Sequence, residues 1–454
     1  MTSFIGAFLL AAAWGVTAGL WTPRGPLTGV EALASIVISA GVGVLAGRLT
    51  RSRWAILTTP IGYAVALELT RLSVSGPSVD LPQPTLLGIL VLVTGRGLHG
   101  LLALLPMMAG AAYGHRRPAR TRFRRVAGRV AAGLATAVTV AVAVAVAIPA
   151  RTPAIAGGVA ELARVGDLGV MIRGGSAGLP VLLYVPGPPG GSETGTMRRR
   201  VSGLERHFVV ATLDRRGGGA SAGGLGRDAA VTVDTEVADI LAVTDHLRAR
   251  FGQDRIFLLG HSGGSIPAVL AAHRRPELYR AYVGTGQAVD LRASDQLFYA
   301  DVMAWARAGG RDDVVSQLTR QGPPPWPDAY DYETFQLYGT QAYGLPEPPV
   351  DLGVPEHTFL QNAHFMTTML DTWDALYPRM QDVDLHRDVP DLTIPAYFVQ
   401  GGREMRGLAV EFASWYEALR SPDKRLVTFP EAGHRPMAEQ PDRFVATLAG
   451  LPRG

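Results

Sequence analysis

Long apolar runs occupy the first third of the chain. A helix needs about 20 apolar residues to cross a bilayer core of roughly 30 Å. Five segments are therefore predicted to span a membrane: Phe4–Trp21, Val30–Gly47, Trp54–Leu72, Leu98–Tyr113 and Val126–Ile148. The third is the weakest because it contains Pro60 and Glu68. An earlier start is the alternative for the fourth, because Leu86–Val93 is also apolar, but Arg96 and His99 interrupt the run. Helices buried in a soluble domain are the alternative, but soluble cores rarely supply five such runs.

The pattern changes near Leu168, where short β-branched runs alternate with amphipathic stretches. The runs read GVMIRG, PVLLYVP, HFVVATLD, RIFLLG, AYVGTG, IPAYFVQG and RLVTFPE, and TEVADILAVTDHLRARFG is one of the stretches between them. Strands that alternate with helices predict a mostly parallel sheet covered on both faces. Ligand sites of such sheets lie beyond the carboxyl ends of the strands, so the residues directly after each run are the candidates for chemistry.

The charge distribution separates the same two regions. Residues 1–150 hold 13 Arg, no Lys and three acidic residues, whereas the remainder holds 30 basic and 36 acidic residues. Because these arginines lie between apolar runs, nucleic-acid binding is a poor interpretation of the high pI. The chain has no Cys, which excludes disulfides, thiol chemistry and Cys-ligated metals. Its single Lys against 42 Arg suggests a high-GC bacterial genome.

The arginines also predict an orientation in the membrane. The loop after the second apolar segment reads GRLTRSR and the loop after the fourth reads HRRPARTRFRR, while the other two loops are poor in Arg. Positive loops favour the cytoplasmic side. Five crossings with a cytoplasmic N-terminus then place everything after Pro149 outside the cytoplasm. A cleaved signal peptide is disfavoured, because no Lys or Arg precedes the first apolar run.

A candidate nucleophile stands in the stretch RIFLLGHSGGSIPAV, residues 255–269. Gly260-His261-Ser262-Gly263-Gly264 is a G-x-S-x-G turn between a predicted strand and a predicted helix. Such an elbow holds the serine hydroxyl above the sheet, and small neighbours allow its close packing. The N–H of Gly263, at the amino end of the helix, is predicted to stabilise a developing oxyanion. An ordinary polar residue in a tight turn is the alternative for Ser262.

Two further residues complete a candidate catalytic triad, because a serine hydroxyl needs a base and the base needs an orienting acid. His434, in PEAGHRPMAEQP, is the predicted base, and Glu404 follows the run IPAYFVQG directly. The order Ser, Glu, His along the chain fits this type of triad. The alternative for Glu404 is a salt-bridged loop residue. For the remaining nearby histidines, polar or packing roles are predicted: His357, His364 and His386.

Four stretches of the chain resemble the proline iminopeptidase-like branch of the α/β-hydrolases. They are LYVPGPPGGS at Leu183–Ser192, DRRGGGAS at Asp214–Ser221, VADILAVTDHLRARFGQDRIFLLGHSGGS, and AGHRPMAEQPDRF. The resemblance extends over roughly residues 168–288 and 393–448. It implies an α/β-hydrolase fold with a helical cap, and a serine hydrolase, often an aminopeptidase, that needs no cofactor or metal.

One departure from that family's pattern affects the predicted oxyanion hole. Pro186 and Pro188 stand where the family has His and Gly, and the residue after the first glycine of this loop normally supplies the second oxyanion N–H. Proline has no N–H to donate, so Gly187 is predicted to be the second donor, with Gly190 as a substitute. Loss of one such donor costs about 2.7–4 kcal/mol of transition-state stabilisation.

Residues 289–390 interrupt the strand pattern and are rich in aromatic residues and Pro, which predicts a helical cap. Four of its acids are candidates for binding a peptide amino terminus, against the simpler alternative of solvated helix faces: Asp295, Asp301, Asp331 and Glu333. The predicted order is thus an all-α membrane region (1–150), the first part of the hydrolase core (151–288), the cap (289–390) and the second part (391–454).

A membrane-anchored, extracytoplasmic serine hydrolase is the leading functional hypothesis. It would act on a small peptide or an ester, with membrane lipid around its helices and no nucleic acid as partner. A lipid or ester hydrolase is one alternative. The other is a catalytically weak binding protein that retains the fold. The prolines in the loop of residues 186–192, called the proline loop, favour this alternative, and the candidate triad disfavours it.

Overall fold

Two compact units make up the protein. The computed structural model describes residues 2–23, 27–74, 83–115, 121–187, 191–225, 231–345 and 351–452. One unit, the helical unit, combines residues 1–150 with 358–367, and the other, called the hydrolase unit after the prediction from the sequence, combines 151–357 with 368–454. Ten residues within the predicted cap boundaries therefore group with the N-terminal helices.

The helical unit contains five long helices: α1 (Thr2–Trp21), α2 (Gly29–Thr50), α3 (Ala55–Arg71), α4 (Leu86–Gly114) and α5 (Arg122–Ala147). Among the described residues, four helices are long and apolar enough to cross a membrane, namely α1, α2, α4 and α5. Helix α3 has 17 residues and carries Pro60 and Glu68. Helix α4 begins twelve residues before the predicted start, so Arg96 lies inside it, where it pairs with Glu68.

Glycines bring α2 and α4 into backbone contact. A Cβ added at Gly43 would overlap the carbonyl of Met107, and one added at Gly114 would overlap the carbonyl of Val44. Residue numbers rise together along the two helices at these contacts, so α2 and α4 run parallel. Small residues spaced by four are a common means of close helix packing in membranes.

Helices α1 and α3 pack in the same way. Gly15 lies against the backbone of Tyr63, and Gly19 lies against the side chain of Thr70, so this pair is also parallel. Helix α5 is antiparallel to α4, since Thr136 reaches Tyr113 while Val146 packs in one cluster with Leu98. Helices α1 and α3 thus share one direction, α2 and α4 share one direction, and α5 opposes α4.

An eight-stranded sheet forms the centre of the hydrolase unit. Its strands are β1 (Val159–Val165), β2 (Leu168–Gly174), β3 (Val181–Val185), β4 (Val209–Leu213), β5 (Ile256–His261), β6 (Tyr279–Thr285), β7 (Ala396–Gly401) and β8 (Lys424–Phe429). Their order across the sheet is β1-β2-β4-β3-β5-β6-β7-β8. The pairs β1–β2 and β2–β4 are antiparallel and the other five are parallel, so the predicted mostly parallel sheet is confirmed.

Helices cover both faces of this sheet. The α-helices that the structure describes after α5 are, in chain order, α6 (Thr194–Arg199), α7 (Val233–Phe251), α8 (Ser262–Arg274), α9 (Leu291–Ala308), α10 (Asp312–Gln321), α11 (Glu333–Ala342), α12 (Phe359–Ala363), α13 (Phe365–Met380), α14 (Leu385–Asp388), α15 (Arg406–Ala418), α16 (Pro436–Glu439) and α17 (Pro441–Ala449), and α12 belongs to the helical unit. Along β3, Leu183 and Val185 enter one apolar core while Leu182 and Tyr184 enter the other. Burial on both faces explains why the strands read as continuous apolar runs.

The short helix α12 is built into the helical unit. Leu360 is almost fully buried in an apolar cluster that includes Leu27, Ile36, Leu102 and Val146. The chain therefore leaves the hydrolase unit after His357, packs against the N-terminal helices over ten residues, and returns at Thr368.

Candidate active site

The turn between β5 and α8 holds Ser262 in a strained backbone conformation. Its φ is +48°, a left-handed value that non-glycine residues rarely adopt. Glycine neighbours make this turn possible: a Cβ at Gly264 would overlap the carbonyl oxygen of Pro186, and one at Gly260 would lie 2.7 Å from Cα of Ser265. Such strain costs on the order of 1–3 kcal/mol, and it persists only where the surroundings enforce it.

Three strand ends bring the predicted triad together. Ser262 follows β5, Glu404 follows β7, and His434 lies between β8 and α16. His434 Nε2 lies 2.8 Å from Ser262 Oγ, and His434 Nδ1 lies 3.0 Å from both carboxylate oxygens of Glu404. The arrangement holds the imidazole with one nitrogen at the carboxylate and the other at the hydroxyl, as general base catalysis requires.

Glu404 is available to His434 because the flanking arginines pair elsewhere. Arg403 pairs with Glu431, and Arg406 pairs with Asp301. The Glu404 side chain is only 4% exposed. Burial works to lower the pKa of His434, but the Glu404 carboxylate outweighs this effect, so the pKa lies above its ordinary value. If His434 acts as the predicted base, the imidazolium that forms is the species that this carboxylate stabilises.

The predicted oxyanion donors have different surroundings. Gly263 is the second residue of α8, directly after Ser262. The N–H of Gly187 donates to Glu193 Oε2 at 3.0 Å, and its carbonyl accepts from the N–H of Gly264 at 3.0 Å. The prediction that Gly187 serves as the second donor does not fit this geometry, because its N–H is already engaged. Pro188 and Gly190 lie outside the described residues.

Known proteins resemble this chain over its second part. A family model described as serine aminopeptidase, S33, matches residues 196–317. The probable aminopeptidase YbaC of Bacillus subtilis (strain 168) is 27% identical over 304 residues, which cover 62% of this chain and 91% of that protein. The strand order and the serine elbow after β5 agree with these matches. The second part of the chain therefore has an α/β-hydrolase fold.

Solved α/β-hydrolase structures align with the same share of the chain. The proline iminopeptidase of Mycobacterium smegmatis is 17% identical, with a TM-score of 0.44, and covers 64% of this chain and 96% of its own. An E-2-(acetamidomethylene)succinate hydrolase is 20% identical, with a TM-score of 0.41, and covers 64% of this chain and 97% of its own. More than a third of the present chain lies outside each of these alignments.

A buried carboxylate that was not predicted from the sequence lies next to the predicted triad. Glu193 directly precedes α6 and is 6% exposed. Its two oxygens accept from four groups in different parts of the chain: the hydroxyl of Tyr184, the N–H of Gly187, Nδ1 of His261 and the guanidinium of Arg435. The one local signal for Glu193 is its place directly after the GGS of the proline loop.

The remaining histidines have partners away from the triad. His357 pairs with the buried Asp214 at 2.8 Å, and Asp214 lowers the cost of keeping that imidazole charged, so the pKa of His357 is raised despite burial. His386 lies 3.9 Å from Glu411, and His364 contacts Thr367 within the helical unit.

Two of the cap acids are already committed to neighbours. Asp295 accepts from the hydroxyl of Tyr377 at 2.9 Å and from the side chain of Gln381 at 2.8 Å, and burial raises its pKa to about 7. Asp301 pairs with Arg406. Of the other two, Glu333 is buried and Asp331 is partly buried. Asp295 therefore carries only part of a negative charge at neutral pH.

Proposed function

We propose that this chain is a membrane-anchored serine hydrolase in which Ser262 is the nucleophile. His434 is the general base and Glu404 orients it. The observation that carries the proposal is the continuous hydrogen-bonded series from Ser262 Oγ through the imidazole to the Glu404 carboxylate. It stands at the strand ends where sheets of this kind hold their ligands.

The reaction follows from the position of each group. Ser262 Oγ attacks the substrate carbonyl carbon while His434 Nε2 takes the hydroxyl proton, and the N–H of Gly263 receives the oxyanion. His434 then gives the proton to the leaving group, which leaves an acyl-enzyme. Water, deprotonated by His434, hydrolyses the acyl ester and regenerates Ser262. Glu404 holds the imidazole in the productive tautomer throughout.

A small peptide with a free amino terminus is the proposed substrate class, and the aminopeptidase-like relatives support it. An ester is the second candidate. The observation that favours it is that Asp295 and Asp301, two of the candidates for binding an ammonium group, are bound by Tyr377, Gln381 and Arg406.

The helical unit is proposed to cross the membrane five times, which would place the hydrolase unit outside the cytoplasm. Four helices have the length and composition for a crossing. The case for α3 is its parallel packing along α1, since the first and third helices of a chain that crosses a membrane at each helix run in the same direction. At 1.5 Å per residue, α3 spans about 25 Å, slightly less than a bilayer core.

Labelling with a fluorophosphonate tests the nucleophile before any substrate is known. We expect Ser262→Ala to abolish labelling of the detergent-solubilised full chain, since the reagent forms its bond with an activated serine. Ser176→Ala, on the exposed surface, is the matched control and should label like the parent. Equal labelling of Ser262→Ala and the parent would place the nucleophile elsewhere. A parent chain that does not label at all would favour the catalytically weak binding protein.

A further inference from the structure

Three chain segments next to the proposed catalytic groups each touch the same carboxylate. His261 immediately precedes Ser262, and its Nδ1 lies 3.0 Å from Glu193 Oε2. Arg435 immediately follows His434, and its guanidinium lies 3.1 Å from Glu193 Oε1. Gly187 lies in the loop after β3, and its N–H also donates to Oε2, at 3.0 Å.

We propose that Glu193 is a positioning residue of the active site, whose carboxylate fixes the nucleophile segment, the base segment and the proline loop relative to one another. This inference rests on the proposed function. Glu193 reaches no triad atom itself, and acts one residue away from Ser262 and one residue away from His434. The ring of His261 lies between Glu193 and the base segment, because its Nε2 lies 3.4 Å from the backbone oxygen of His434.

The chemistry at this position requires a carboxylate rather than any polar group. Four donors converge on two oxygens, and the hydroxyl of Tyr184 is the fourth. An ionised carboxylate is acceptor-only, whereas a Gln side chain offers one oxygen and two N–H donors. Burial works to raise the pKa of Glu193, but His261 and Arg435 oppose it, and the pKa lies well below its usual range. The group is therefore ionised where the enzyme would work.

Glu193→Gln is consequently expected to release part of this arrangement at almost unchanged volume. The amide nitrogen faces donors, so at least one of the three segments loses its anchor. Misplacement of a reacting group by about 1 Å can cost 10²-fold in rate. We expect the second-order rate constant of fluorophosphonate labelling to fall by about 10- to 100-fold, with the final labelled fraction unchanged.

The pH dependence of labelling separates positioning near His434 from general destabilisation. The groups that face His434 are Ser262, Glu404, His261, Arg435 and Glu193. Glu193 works to raise the pKa of His434 and Arg435 works to lower it. Glu193→Gln should therefore move the acid limb of the profile to lower pH, and Arg435→Gln should move it to higher pH.

Glu205→Gln is the matched control. Glu205 is a mostly buried carboxylate of the same unit that pairs with Arg173 at 2.9 Å and with Arg198 at 3.2 Å, away from all three segments. Glu205→Gln removes a buried negative charge, as Glu193→Gln does, so it reports the effect of destabilisation alone. We expect a similar change in melting temperature, a labelling rate within about twofold of the parent, and an unmoved acid limb.

The experiment uses the full chain in detergent and includes Ser262→Ala. If that variant is silent and Glu193→Gln behaves like Glu205→Gln, the role of Glu193 is overturned while the proposed nucleophile stands. If Ser262→Ala still labels, the proposed function itself fails. Should Glu193→Gln not fold, Arg435→Gln decides, because an unchanged labelling rate and an unmoved acid limb in that variant would contradict the proposal.

Discussion

Glu404 and Ser262 each keep a conformation that the chain would not adopt without its surroundings. Ser262 has a left-handed backbone, and Glu404 is buried with one carboxylate oxygen also held by the N–H of Met405 at 2.9 Å. The strain at Ser262 directs its hydroxyl at the imidazole, and the fixed carboxylate directs the imidazole at the hydroxyl. The reactivity proposed for this site thus depends on the fixed positions of these groups more than on the number of their contacts.

Replacing Glu404 with Gln is predicted to alter both rate and pH dependence. The carboxylate raises the pKa of His434, so its loss lowers that pKa, and the acid limb of the labelling profile moves to lower pH. The plateau rate should fall by about 10²–10⁴-fold, because the amide no longer enforces the productive tautomer. Labelling rate measured against pH checks both effects.

Two further variants serve as comparisons for Glu404→Gln. His434→Ala should lose more activity than Glu404→Gln, since it removes the base itself. Glu431→Gln removes an exposed neighbouring acid, 71% exposed, that pairs with Arg403 instead, and it should leave the profile in place. Wild-type behaviour of Glu404→Gln would assign the orienting role to another acid.

Local motifs were enough to predict three residues that the structure brings together, and they were not enough to predict the groups that hold these residues in place. Ser262, Glu404 and His434 each follow a recognisable strand, and a fold of this type places such strand ends together. Glu193 escapes because its partners at positions 184, 187, 261 and 435 are distant in the chain. The engagement of the Gly187 N–H has the same cause, since nothing near Gly187 in the sequence indicates a carboxylate within reach.

At the level of elements, seven of the eight strands were predicted, and β8 is an edge strand among them, because Leu426, Val427 and Phe429 keep its apolar pattern although only Phe429 is fully buried. Strand β1 was missed because Glu161 and Arg164 break the apolar pattern of an edge strand that is buried only in part. Pattern reasoning detects a central strand readily, but a partly solvated edge strand resembles a polar loop. The position of helix α12 in the helical unit was likewise beyond prediction, because its five residues are buried by helices more than 200 residues earlier in the chain.

Helix packing in the helical unit gives a prediction at this scale. Gly43→Leu should separate α2 from α4, because even a Cβ at Gly43 overlaps the backbone of Met107. Overpacking of this kind costs about 1–3 kcal/mol or more. Gly41→Leu, two residues away in the same helix with open space around its Cα, is the control. Thermal unfolding of the detergent-solubilised chain should show a lower midpoint for Gly43→Leu alone, and equal midpoints would refute the tight α2–α4 contact.

For the whole molecule, the number of crossings fixes the compartment in which the enzyme would act. A reporter that is active only outside the cytoplasm should be silent when fused after Arg53 or Arg120, and active when fused after Val74 or Gly454. The fusion after Val74 isolates the contribution of α3. A silent reporter there, together with a silent one after Gly454, would reduce the crossings to four and move the hydrolase unit into the cytoplasm.

The excursion of residues 358–367 has a consequence for how this protein can have arisen. A helical bundle joined to a finished hydrolase by simple gene fusion would contact it through one linker, and either part could later be exchanged. Here Leu360 fills a place between N-terminal helices. The two parts of this chain are therefore expected to change together, because a recombination event that replaced residues 1–150 would leave an apolar segment without its partners. Inheritance should keep both parts as one unit, with paired substitutions around Leu360 rather than a shuffled anchor.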